Sequence, residues 1–336
     1  MISGVNYPWT LFQGRPNYGC DFGRNRWNSH TGVTAHLSEV RADFKAMSDA
    51  AVEVTRWFAF TDGRGGLDWG PAGELLGLDD KCLDDFDAAL EIAATASVRL
   101  CIVLIDFTWL DDLNRRAALE RGVFLDRVLD PLLDRYGATG AIHSFDVINE
   151  PDWRHAWPDS ALRAYCGSAV RRIRSRSTAL VTLGGAMVRH AKRWDDPAYG
   201  LDFIQVHSYP DVRYQERDLS VFEMTAADFG LSKPILIGEC PWHPRAHPAG
   251  HVSPARTLSD YLDRARDAGY LGAWPRSLKG VDAFGAVDLA MLREGGGFQA
   301  KQRQLTPVFV QLSAMRRPEP IAWYSWKLLS CCITSL

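Results

Sequence analysis

Two apolar runs in this chain each end on a carboxylate. FDVINEP (145–151) closes on Asn149, Glu150 and Pro151, and ILIGEC (235–240) closes on Glu239. If both runs are strands of one parallel sheet, the two carboxylates stand at its carboxyl-terminal edge and face one cavity. Such a pair suits cleavage of a glycosidic bond. One carboxyl protonates the departing oxygen while the other attacks the anomeric carbon or activates water there, and retaining enzymes hold the two about 5 Å apart. Their surroundings must also differ, so that one keeps a proton while the other is ionised.

Positioning that pair requires a sheet, and the sequence supplies eight β-rich runs: 2–6, 52–58, 99–106, 143–149, 179–184, 202–207, 234–239 and 271–274. Between them lie stretches with helical spacing, such as Leu37, Val40, Phe44 and Met47, or Leu83, Phe86 and Leu90. Helix starts are signalled by Asp159 or Ser160 and by Ser253 followed by Pro254. Near-continuous apolar strands alternating with helices predict a parallel sheet covered by helices, and eight units predict one closed (β/α)8 TIM barrel over residues 1–317. The tail, 318–336, has no assigned role. The three longest connections, 7–32, 59–78 and 275–304, all follow a strand, which places long loops on the face where barrels keep their sites. An open doubly wound sheet would serve the same alternation, but its glycine-rich dinucleotide turn is missing after the first strand. GRGGLDWG (63–70) follows the second strand, opens no helix and reads as a flexible rim loop.

The NEP after the fourth strand and the GE after the seventh resemble glycoside hydrolases of clan A, with family 5 (cellulases and β-mannanases) the nearest pattern. The resemblance implies that Glu150 is the acid/base, Glu239 the nucleophile and Asn149 the ligand of the sugar's 2-hydroxyl. HSY (207–209) resembles the family's His-x-Tyr, implying that His207 lines the site and Tyr209 hydrogen-bonds the nucleophile. Arg56 would keep Glu239 ionised, although it could equally bridge carboxylates below the mouth. Trp274, ending the eighth strand, would floor the subsite for the reactive sugar, with plain packing as the alternative. After the third strand IDFTW carries Asp106 and Trp109 where the family usually has a histidine, and Asp106 is either a sugar ligand or a helix cap. Twelve tryptophans are many for this length. Trp69, Trp109, Trp153, Trp157 and Trp242 are expected to line an extended cleft or to wall a pocket for one sugar.

Other classes fit less well. With 336 residues, 46% hydrophobic content and a formal charge of −3, the chain can bury a core but lacks the basic excess that nucleic acid would attract. No apolar stretch is long enough for a membrane span. No leader is evident, so the cytoplasm is expected unless one was removed. Cysteines 20, 82, 101, 166, 240, 331 and 332 form no CxxC pair and read mostly as small core residues. His243, His247 and His251 are spaced four apart as metal ligands on a helix would be, but Pro244 and Pro248 break that helix. A metal-dependent barrel hydrolase or isomerase is therefore a secondary reading, as is a carbohydrate-binding barrel without catalysis. The leading expectation is a retaining β-glycosidase acting by double displacement on oligosaccharides or glycoconjugates, with neither metal nor cofactor. Oligomeric state is left open.

Overall fold

The computed structural model describes residues 1–153, 157–209, 219–242, 257–281 and 285–296. Eight parallel strands follow one another around a barrel: β1 Gly4–Asn6, β2 Val54–Phe58, β3 Arg99–Val103, β4 Ile142–Asn149, β5 Leu180–Gly185, β6 Ile204–His207, β7 Ile235–Pro241 and β8 Ala273–Arg276. Strand order equals chain order, which excludes the doubly wound alternative, where the order reverses. Helices cover the outside. Leu37–Asp49 turns Val40, Phe44 and Met47 inward, and Cys82–Ala96 buries Phe86, Leu90 and Ala93, the helical spacing legible in the sequence. All eight residues of β4 are buried, as expected of a strand enclosed by a packed lumen and a helical shell.

Alternation along the strands sorts side chains into two environments. Trp57 points outward and packs against Tyr7, Phe22 and Phe44. Its neighbours Val54, Arg56 and Phe58 point into the lumen. The lower lumen is an apolar plug of Val54, Cys101, Leu180, Phe203, Leu236 and Trp274. Gly4 admits this plug: a Cβ there would lie 2.3 Å from Trp274 Nε1. Between β1 and β8, among the described residues, the seam is closed without a regular ladder. The Asn6 amide donates to the carbonyls of Gly238 (2.9 Å), Trp274 (3.1 Å) and Pro275 (3.3 Å), and the Leu278 amide donates to Asn6 O.

Several local expectations change. Residues 63–70 are no loose loop: Leu67–Trp69 pairs with Leu75–Leu78 as an antiparallel hairpin, and the Trp69 indole donates to Gly63 O at 3.1 Å. The helix after β7 runs Leu258–Asp267 from a capping box of Thr257 and Asp260, while Ser253 and Pro254 lie outside the described residues. The long segment after β1 is anchored by the buried Asp21, which accepts from Thr10, Asn17 and Trp57, and by Asp85, which accepts from Gly23 and Thr34. Cys20, Cys82, Cys101, Cys166 and Cys240 are free and buried, as small core residues should be. No described helix is long and apolar enough to cross a membrane. The tail 318–336 lies outside the described residues.

Candidate active site

At the mouth of the lumen Arg56 is the hub. Its side chain has no exposure, so its charge must be met by partners in place of water. Nε and Nη2 donate to Asp146 Oδ2 at 3.0 and 2.8 Å, Nη2 also donates to Asn149 Oδ1 at 2.7 Å, and Nη1 donates to Asn6 Oδ1 at 3.1 Å and to Glu239 Oε1. Asp146 accepts further from Gly184 N (3.0 Å) and Gln205 Nε2 (3.2 Å). One guanidinium thus bridges a carboxylate within the barrel and one at its mouth.

Glu239 is buried on β7. Oε1 receives Arg56 and Arg276 Nη1 (2.9 Å), and Oε2 receives the Tyr209 hydroxyl (2.9 Å). Burial opposes its ionisation, but Arg276, His207 and Arg56, with the hydroxyl of Tyr209, outweigh that and hold the carboxyl well below the usual range. Glu150 is placed differently. It takes a left-handed φ of 51°, which costs a non-glycine residue about 1–3 kcal/mol, with its amide donating to Gly184 O at 2.6 Å. Oε1 meets His207 Nδ1 at 2.8 Å, and Oε2 accepts from the Trp153 indole at 2.7 Å. Its side chain is 17% exposed against 2% for Glu239, and no Arg or Lys pairs with it among the described residues. An oxygen of each carboxylate and a ring nitrogen of His207 all lie within 4.8 Å of one another.

Asn149 is locked. Arg56 can only donate, so Oδ1 faces it, and Nδ2 therefore donates to Asp106 Oδ2 at 2.8 Å. Asp106 also accepts from Thr108 N at 3.1 Å, capping the short helix Phe107–Leu110. The cap alternative for Asp106 is the observed one. Burial pushes its carboxyl up to about 6, against the lowering effect of the bonds from Asn149 and Thr108.

The structure thus gathers Arg56, Asn149, Glu150, His207, Tyr209 and Glu239, with Asp106 and Trp153 in contact with the group. It does not bring Trp274 or Trp109 to the mouth. Trp274 is fully buried in the lower plug and donates to Ile2 O at 3.2 Å, because β8 continues two residues beyond it. Alternation therefore sets Arg276, not Trp274, at the level of Glu239. Trp109 is fully buried, its indole on Phe60 O (3.0 Å) and its ring edge-on to Phe124. Trp157 is buried on Glu120, and Trp242 is partly buried with its indole on Gly285 O at 3.2 Å. Sequence reading missed Asp146, Asn6 and Arg276. A charged residue between Phe145 and Val147 in a strand read as buried was the available signal for Asp146.

Among the described residues, Glu150, His207 and Glu239 are spaced as three metal ligands might be. Their chemistry fits a cation poorly, since two guanidinium groups already balance Glu239. His243, His247 and His251 lie outside the described residues.

No protein-family model matches the sequence, and no curated protein matches it. Solved structures do. The endo-1,4-β-mannanase from Eisenia fetida is 20% identical with a TM-score of 0.69, over 88% of this chain and 89% of that one. The β-1,4-mannanase from the sea hare Aplysia kurodai is 21% identical (TM-score 0.66; 88% and 90%), and the β-1,4-D-mannanase from Cryptopygus antarcticus 16% identical (TM-score 0.68; 88% and 88%). Across most of its length, this chain has the (β/α)8 fold of these mannanases.

Proposed function

We propose that this chain is a retaining β-glycoside hydrolase that cleaves β-linked oligosaccharides or glycoconjugates by double displacement. One observation carries the reading: two carboxylates with oxygens within 4.8 Å stand in unlike surroundings at the barrel mouth. Retaining enzymes keep their carboxyls about 5–5.5 Å apart and inverting enzymes about 6.5–9.5 Å, and the close approach here supports the former. Glu239, pinned by Arg56, Arg276 and Tyr209, attacks the anomeric carbon as an ionised nucleophile. Glu150, the more exposed of the two, gives its proton to the leaving oxygen and then takes one from the water that releases the sugar. Asn149 has one N–H on Asp106, and its second N–H is assigned to the sugar's 2-hydroxyl. The fold shared with β-mannanases makes β-1,4-manno-oligosaccharides the first substrates to try.

Proton NMR of the first sugar released from a β-glycoside tests the reading. The β-anomer should appear before mutarotation. The α-anomer first would overturn retention, and sugar binding without turnover of any β-glycoside would favour the carbohydrate-binding barrel.

A further inference from the structure

We infer that the sugar bound against Glu239 carries an anionic substituent, and that Arg276 recognises it. This rests on the glycosidase reading above and names the substrate class of that same site.

The mouth holds two guanidinium groups on one carboxylate oxygen, and they are not equivalent. Arg56 has no exposure and is fully committed to Asp146, Asn149, Asn6 and Glu239. Together with the Tyr209 hydroxyl it already orients Glu239 and favours its charge. Arg276 repeats that contact from the end of β8 but keeps 17% of its side chain exposed. Of the two, Arg276 is the one whose side chain reaches the cavity surface. Its guanidinium lies over the rings of Phe58 (5.8 Å) and Trp9 (6.0 Å), a cation–π arrangement that holds it at the mouth.

Position makes this a matter of specificity. Arg276 Nη1 is 2.9 Å from the Glu239 oxygen, so any sugar bonded to Glu239 lies beside the guanidinium. No aromatic floor takes that place at β8, because Trp274 is one layer down in the plug. Among the described residues, the carboxylates facing the cavity are Glu150, Glu239 and, behind Asn149, Asp106. An anionic substituent would be repelled by these unless a cation offset them, and a planar guanidinium is the group that suits a carboxylate or phosphate. Among the described residues, Arg276 is the cation on Glu239 that solvent reaches.

The test uses the full chain and 4-nitrophenyl β-glycosides with a common leaving group: glucoside, mannoside, glucuronide and 6-phosphoglucoside. One anionic donor should exceed its neutral counterpart by about ten- to a hundredfold in kcat/KM, the scale of one charge-assisted contact. A preference for the glucuronide identifies a carboxylate, and one for the 6-phosphoglucoside a phosphate. Arg276→Gln should erase the anionic-to-neutral ratio, and Arg276→Lys should restore part of it. The inference is overturned if the wild-type ratio is one or less, a result that needs no variant to fold, or if Arg276→Gln leaves the ratio unchanged. Trapping with the matching 2-deoxy-2-fluoro donors separates the two levels. Adducts on Glu239 from neutral donors, formed at least as fast as from anionic ones, would sink this inference alone. No adduct on Glu239 from any donor would sink the glycosidase reading with it.

Discussion

The two ends of the barrel lumen are built from the same strands and are held by opposite means. At the bottom, Val54, Leu180, Leu236 and Trp274 fill space with apolar volume. At the mouth, Arg56, Asp146, Glu239 and Arg276 form a net of paired charges. On β8 the change takes two residues, from Trp274 to Arg276. Apolar packing is non-directional and depends on volume filled, whereas each buried charge must recover its lost hydration partner by partner. The comparison teaches that stability and chemistry are separable along a single strand, and substitutions at the two ends should fail in different assays.

The largest effect is expected at the mouth. Glu239→Gln should lower kcat by about 10⁴-fold or more while the chain still folds, and turnover within about tenfold of wild type would move the chemistry to another residue. At the bottom, Trp274→Ala should remove about 3–5 kcal/mol of stability in urea unfolding, with kcat of the folded protein nearly unchanged. A large loss of kcat there would erase the distinction between the two ends. Gly4→Ala probes the same plug from the opposite side: with Trp274 Nε1 2.3 Å from the new Cβ, overpacking should cost about 1–3 kcal/mol in the same assay. The smallest effect sharpens the mouth. In the proposed reaction Glu239 attacks as a carboxylate, and removing a neighbouring cation makes its proton harder to lose. Arg276→Gln should therefore move the acid limb of kcat/KM to higher pH, by roughly one unit, and an unmoved limb would show that Arg56 and His207 suffice.

Much of this was legible in the sequence. Each of the eight barrel strands was found within a few residues, because continuous apolar runs between amphipathic helices carry a strong signal. Glu150, Glu239, His207, Tyr209, Arg56 and Asn149 converge because each ends or nearly ends a strand. Strand ends were the weak point. Placing the end of β8 at Trp274 assigned the tryptophan to the mouth and hid Arg276, since a two-residue error along a strand shifts a side chain by a whole layer. Trp109 failed for another reason: sequence shows an aromatic after a strand but not which way it turns, and here the Phe60 carbonyl takes its indole into the core. Asp106 could be read two ways because capping and ligand binding need the same carboxylate.

The Asn6 side chain has two ends, and they join two different things. Its nitrogen fastens β1 to β7 and β8 across the seam, and its oxygen takes Nη1 of Arg56. The seam is therefore a latch on the candidate active site as well as a joint in the wall. A thermal fluctuation that parts it need not unfold a helix to slacken the grip on Arg56. Turnover is expected to fade at lower urea than far-ultraviolet circular dichroism does, because the closure of the barrel can loosen before its helices melt.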